Sequence, residues 1–201
     1  MTGSEIKLHE SPSQTAGPYV HIGCLPIASG IEGVYSEDPG SRMINEATKG
    51  ERIKIEGCVY DGEAVAVTDA IIEVWQADSM GNYPVEKPSN DTFSGWGRVA
   101  CNQDSGEFEI ETIRPGAVAF DEGRLQAPHI TLWIVARGIN VGLHTRLYFA
   151  DEDLANANDP VLSQIDPASR AQTLIAENRG AGCYRFEIYL QGDRETVFFD
   201  I

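Results

Sequence analysis

Short segments in which apolar and polar residues alternate recur along the chain, and glycine and aspartate clusters that favour turns separate many of them. In the segment at 52–60, Ile53 and Ile55 fall on one face while Lys54 and Glu56 fall on the other. A period of two residues is that of a β-strand with one buried face. Segments of the same kind predict six further strands, at 70–76, 107–111, 129–135, 144–149, 184–190 and 196–199.

So many short strands favour an all-β fold, an antiparallel β-sandwich with long loops and one or two short helices. Residues 31–50 show no sustained period and are predicted to be loop. Helices are predicted at 151–158, where acidic residues cluster before a proline, and from 167 to about 175. Because the chain has 201 residues and no internal repeat, we expect a single domain over 1–201.

The charge of the chain restricts its partners. It carries 31 acidic and 15 basic residues, a formal net charge of −16, which argues against binding to nucleic acid or to an anionic membrane surface. Neither a signal-peptide-like stretch nor a run of about 18 apolar residues is present, so the expected compartment is the cytoplasm. The four cysteines form no Cys-x-x-Cys pair, and reduced thiols are expected.

Three segments together resemble the intradiol aromatic-ring-cleaving dioxygenases. They are Ser-Pro-Ser-Gln-Thr-Ala-Gly-Pro-Tyr-Val-His-Ile-Gly at 11–23, Glu-Val-Trp-Gln-Ala-Asp at 73–78 and Ala-Arg-Gly-Ile-Asn at 136–140. The resemblance continues through 143–149 and 195–201, so it covers nearly the whole chain. It implies an enzyme that opens catechol-type rings between the hydroxyls with both atoms of dioxygen and forms a muconate-type diacid.

The resemblance also implies a metal. In that family two tyrosines and two histidines hold a non-haem ferric ion, a hard cation that prefers anionic oxygen donors. The ligand positions of this sequence are Tyr83 and His129, which match, and Val118 and Thr131, which do not. Gln126 stands where catalytic chains carry an arginine. We therefore predict that this chain alone binds no functional Fe(III) and contains no complete catalytic set.

Such a chain needs a homologous partner subunit that carries the iron, together with a small aromatic diol substrate and O2. The resemblance implies that residues 1–30 form an extended N-terminal arm at the subunit interface. Five residues resemble segments that line the partner's substrate pocket in such assemblies: Thr15, Gly17, Pro18, Tyr19 and Arg137. A substrate that carries a carboxylate suits an arginine and backbone amides. A structural role for Arg137, and a clasp role for the arm, remain alternatives.

Two other hypotheses stay open at this point. The chain could bind a metal by itself through Tyr83, His129 and a third group such as His144. It could also be a non-catalytic β-sandwich binding module, because a fold does not determine a function. Without the resemblance, Tyr83 is an ordinary loop aromatic and His129 a hydrogen-bonded core histidine. Trp75 and Trp133 are expected in the core.

Overall fold

The computed structural model of the protein describes residues 14–84, 93–121 and 123–200. The strands of this part of the chain are β1 Arg52–Tyr60, β2 Ile71–Gln76, β3 Trp96–Ala100, β4 Glu107–Ile113, β5 Val118–Asp121, β6 Arg124–Gln126, β7 His129–Val135, β8 Leu143–Phe149, β9 Ile175–Gly180 and β10 Cys183–Tyr189. The helices are α1 Pro18–Cys24, α2 Asp153–Ala157 and two 3-10 helices, Leu162–Gln164 and Ala168–Leu174. The all-β prediction is confirmed.

Eight of the strands form one large sheet in the order β3-β2-β7-β8-β9-β10-β1-β4, and β5 and β6 form a separate hairpin. Strand β9 joins the two halves of the sheet, because it pairs with β8 on one side and with β10 on the other. The terminal strands β3 and β4 contact each other, so the sheet is nearly closed. The antiparallel prediction holds for most pairs but is wrong for two, since β1 with β10 and β8 with β9 run parallel.

One apolar core lies between the two halves of the sheet. Ile55 and Phe108 enter it from one half, and Ile72 and Leu132 enter it from the other. All four are almost fully buried. Because successive side chains of a strand point to opposite faces, the residues next to Ile72 and Leu132 face away from this core.

Most predicted elements are present. Strands β1 and β7 have the predicted bounds, α2 lies inside the predicted helix at 151–158, and residues 31–50 form neither helix nor strand. The strand predicted at 196–199 is wrong, because this segment makes only a single bridge, between Phe199 and His144. Strands β3, β5, β6 and β9 were not predicted. Strand β9 is mostly exposed and lacks the alternation that marks a half-buried strand.

The N-terminal arm is partly helical. Residues 1–13 lie outside the described residues, so the predicted arm is observed only from residue 14 onwards. The extended conformation predicted for 1–30 is wrong over Pro18–Cys24, which form α1. Proline at the first helical position has a suitable φ, and its missing N–H would have no partner within the helix in any case.

The arm lies against the sheet through apolar contacts. Ala16 and Val20 pack onto a small cluster of buried residues that includes Ile71 of β2 and Val135 of β7. This cluster covers one end of the face that points away from the main core. Within the described residues, no helix combines the length and the apolar character needed to cross a lipid bilayer.

Candidate functional site

The candidate site lies on the outer face of β7 and β8, the face opposite the apolar core. Ile130 of β7 points into the core, so His129 and Thr131, one residue to either side, point outward. In β8, Tyr148 is paired with His129 and Arg146 is paired with Thr131. The spacing of two residues implied for the histidine ligands therefore places both positions on one face of one strand.

Tyr83 reaches this face from the loop after β2, and its Oη lies 3.5 Å from Nε2 of His129. Nδ1 of His129 donates a hydrogen bond of 2.8 Å to the carbonyl oxygen of Ala127, because a carbonyl can only accept. The unprotonated Nε2 is then the atom that faces the phenol. A backbone carbonyl that fixes the second nitrogen is also the usual support of a metal-binding histidine.

Burial controls the charge of this pair. Burial, together with the neighbouring positive charge of Arg146, lowers the pKa of His129 to about 4. Burial raises the pKa of Tyr83, and Arg146 partly opposes that effect. The imidazole and the phenol are therefore both neutral near pH 7.

Close backbone packing brings Tyr83 towards the start of β5. Gly81 has a φ of +83°, and a Cβ at this position would lie 1.9 Å from the carbonyl oxygen of Ala117. The N–H of Gly116 donates to the carbonyl oxygen of Asp78 at 2.9 Å, which ties the turn before β5 to the loop after β2. Val118, at the start of β5, follows directly and is buried.

A hydrogen bond connects the β5–β6 hairpin to the outer face of β8. Gln126 of β6 is paired with Val118 of β5, and its Oε1 accepts a bond of 2.7 Å from Nη1 of Arg146. The same nitrogen lies 3.3 Å from the hydroxyl oxygen of Tyr148. Through these pairings the structure brings all the ligand positions implied by the resemblance into one contiguous region.

The residues in this region do not fit a ferric ion. Val118 has no donor atom and Thr131 has only a neutral hydroxyl, so two of the four implied positions, Tyr83 and His129, carry suitable ligands. The guanidinium of Arg146 adds a permanent positive charge beside them. Over residues 14–84, 93–121 and 123–200, no group of three or more His, Cys, Asp and Glu side chains could hold a metal ion.

His144 is poorly placed to complete a metal site with His129. It lies on the same face of β8 as Tyr148, the residue paired with His129, but four residues along the strand, or about 13 Å. Its ring is instead tilted against that of Trp133, with centroids 6.5 Å apart. The sequence-based hypothesis of a self-sufficient metal site through this residue has no support in this geometry.

A buried carboxylate fixes the backbone beneath His129. Asp159 is fully buried, and its Oδ2 accepts a bond of 2.7 Å from the N–H of Ala127. Its Oδ1 accepts bonds of 2.8 Å from the N–H groups of Val161 and Leu162. Asp159 thus ties the chain just before β7 to the first 3-10 helix, and it fixes Ala127, whose carbonyl orients the imidazole.

The arm residues and Arg137 share a second location, at the other end of β7. Thr15 Oγ1 accepts a bond of 2.8 Å from the N–H of Gly138 and lies 3.4 Å from the carbonyl oxygen of Ala136. Gly17 and Arg137 line one cleft of about 490 Å³.

Two further predicted site residues, Pro18 and Tyr19, lie at this cleft. Pro18 also lines it, and the side chain of Tyr19 projects into solvent with 86% of its surface exposed. His21 lines the cleft too, and its Nε2 lies 2.9 Å from the carbonyl oxygen of Asp69. The structure therefore groups the five predicted pocket residues at one end of the domain.

Sequence reasoning missed three contributors to the candidate site. Trp75, expected in the core, is 43% exposed, and its ring stacks on that of Tyr83 with centroids 6.1 Å apart. Arg146 could have been found, since the alternation at 144–149 places it on the outer face. Asp159 gave no signal, because it lies outside every periodic segment.

Comparison with known proteins defines the class of protein to which this chain belongs. The family model described as "Dioxygenase" (Dioxygenase_C) matches residues 31–192. The chain belongs to this dioxygenase family, and the resemblance inferred from its sequence is confirmed.

Individual relatives show which members of the family this chain is similar to. The chain is 46% identical to the protocatechuate 3,4-dioxygenase alpha chain of Pseudomonas putida, over 96% of this chain and 97% of that one. It is 30% identical to the protocatechuate 3,4-dioxygenase beta chain of Burkholderia cepacia, over 73% of this chain and 67% of that one. Among solved structures, the dioxygenase domain of a carbohydrate-binding fusion protein from Streptomyces sp. SirexAA-E aligns with a TM-score of 0.58 and 26% identity, over 83% of this chain and 96% of that one.

Proposed function

We propose that this chain is the alpha subunit of a hetero-oligomeric protocatechuate 3,4-dioxygenase. The assembly would cleave protocatechuate (3,4-dihydroxybenzoate) with O2 to 3-carboxy-cis,cis-muconate, and a homologous beta subunit would hold the Fe(III). The observation that carries this proposal is the incomplete ligand set, in which Tyr83 and His129 are retained while Val118 and Thr131 supply no suitable donor.

The relatives support the same assignment. The P. putida relative bears the name of an alpha chain and matches almost end to end, and the similar B. cepacia protein bears the name of a beta chain. Two related chains with these names imply an assembly of two kinds of subunit. A chain that lacks two of the ligands then needs the second kind of subunit for the chemistry.

The contribution of this chain would come from the cleft beside α1. The side chain of Arg137 is 80% exposed, and its Nε lies 3.5 Å from Oδ2 of Asp69, an ion pair that costs little to exchange for another. Thr15 Oγ1 accepts a hydrogen bond from the N–H of Gly138 and donates one to the carbonyl oxygen of Ala136, so the arm is held against the chain on both sides of this arginine. Arg137 is therefore positioned to meet a carboxylate of the substrate or of the partner.

Substitution of Arg137 in the assembled complex tests the role of the cleft. We expect Arg137→Ala to raise KM for protocatechuate about tenfold or more, because the variant loses one charge-assisted hydrogen bond to the substrate. The iron content should stay unchanged. Arg179→Ala is the matched control, because Arg179 is also exposed and also has one acidic partner, Glu177. Unaltered kinetics in Arg137→Ala would reduce Arg137 to a structural role, and loss of iron would contradict its placement in a substrate pocket.

A further inference from the structure

A cavity of about 540 Å³ lies beside the outer face of β8, between the chain leading into the second 3-10 helix and the C-terminal segment. Thr131 and Arg146 line its floor, and Phe120 and Phe199 belong to its walls. Val161 and Ile165 add further apolar surface. Pockets of this size, mostly apolar with a few convergent polar groups, are typical of sites for small molecules.

The guanidinium of Arg146 has an unused edge. Nη1 is occupied by Gln126 and Tyr148, whereas Nε and Nη2 have no hydrogen-bond partner among the described residues. No acidic side chain of that part of the structure forms a salt bridge with Arg146. The plane formed by Nε and Nη2 presents two parallel donors, the geometry that a carboxylate accepts in a bidentate manner.

The surroundings favour a flat, apolar body attached to that carboxylate. The guanidinium carbon of Arg146 lies over the ring of Phe199, 5.8 Å from its centroid, so an aromatic surface contacts the guanidinium. Two further charged groups line the cavity, Asp166, which is exposed, and Arg170, which is half-buried. Arg170 is paired with Glu195 at 3.2 Å. Arg146 is thus the cation that remains available to a ligand.

We propose that this cavity binds a small aromatic monocarboxylate through a bidentate contact to Nε and Nη2 of Arg146. The ring of the ligand lies against Phe199. Thr131, at a position where a metal-binding chain would need an imidazole, leaves room at the floor of the cavity. The proposal depends on this chain alone and stands whether or not the assembly cleaves protocatechuate.

Calorimetric titration of the purified full-length chain tests the site with two probes of nearly equal shape. 4-Hydroxybenzoate should bind with a Kd of about 1 mM or tighter. The neutral 4-hydroxybenzamide should bind at least about tenfold more weakly, because it cannot accept two charge-assisted bonds. This comparison uses the unmodified protein, so it does not depend on the folding of any variant.

Two substitutions then locate the binding. Arg146→Gln should lower the affinity for 4-hydroxybenzoate to that for the amide. Arg146→Lys should recover only part of the lost affinity, because lysine keeps the charge without the two parallel donors. Arg194→Gln is the matched control, since Arg194 lies over the ring of Tyr189 and does not line the cavity. Equal affinity for acid and amide, unchanged binding by Arg146→Gln, or no heat of binding up to about 10 mM acid would overturn the proposal.

Discussion

At the scale of single residues, Tyr83 and His129 face each other in a region where the other two positions implied by the resemblance, Val118 and Thr131, offer no suitable donor. The imidazole is held by the carbonyl of Ala127 and presents Nε2 to the phenol. Arg146 stands beside both groups as a fixed positive charge. A neutral phenol and a neutral imidazole beside a guanidinium need no metal ion to balance their charge.

The buried imidazole should make the protein sensitive to acid. The pKa of His129 is about 4 in the folded chain and about 6.5 in the unfolded chain, so the unfolded chain takes up the proton first as the pH falls. The contribution of the neutral His129 imidazole to the free energy of unfolding is complete above about pH 6.5 and is lost between about pH 6.5 and pH 4. The loss amounts to about 2 kcal/mol at pH 4.5. Urea unfolding of the wild type and of His129→Gln, each at pH 7 and at pH 4.5, measures this loss.

The glutamine variant should show a smaller difference in unfolding free energy between the two pH values, even if it is less stable overall. Other groups also titrate in this range, so the comparison between the two proteins isolates the imidazole. An equal pH dependence in wild type and variant would show that His129 is not the group responsible.

Tyr83 offers a test of where the metal is held. Its contact with His129 is 3.5 Å long, at the limit of a hydrogen bond, so Tyr83→Phe should change the unfolding free energy by about 1 kcal/mol or less. In the assembled complex this variant should retain its iron and its turnover. Loss of iron from the complex, measured by atomic absorption, would instead make Tyr83 a working ligand.

At the scale of elements, the site depends on segments that the alternation pattern does not describe. Strand β7 was predicted with its correct bounds, and the outward direction of His129 and Thr131 follows from its period. The loop that carries Tyr83 and the β5–β6 hairpin are positioned by close backbone packing and by single hydrogen bonds. Such contacts join residues far apart in the chain and leave no periodic signal in the sequence.

Asp159 should be one of the positions at which a substitution destabilises the candidate site and the fold most. Its carboxylate accepts three backbone N–H groups in a fully buried setting, so Asp159→Ala should lower the unfolding free energy by about 3 kcal/mol. Asp193→Ala, a substitution of an exposed aspartate, is the control and should cost less than about 0.5 kcal/mol. Equal urea midpoints for the two variants would refute the role assigned to Asp159.

At the scale of the whole molecule, sequence alone predicted an all-β fold and the family, and both are confirmed. That Val118 and Thr131 break the metal site stays a prediction. Sequence alone did not predict the nearly closed sheet, because β9 joins the two halves through pairing with β8 and β10 while burying little of its own surface. It also predicted an extended arm where α1 forms, since the proline signal at residue 18 fits both conformations.

The central claim is that this chain depends on a partner for its iron. The most direct measurement is the iron content and visible absorption of the purified chain, alone and after co-expression with a homologous chain that carries two tyrosines and two histidines at the ligand positions. We predict colourless, iron-free protein in the first case and, in the second, a coloured complex with about one ferric ion per pair of chains that cleaves protocatechuate. A coloured single chain with about one iron would contradict the account, because it would show that other groups replace the ligands lost at Val118 and Thr131.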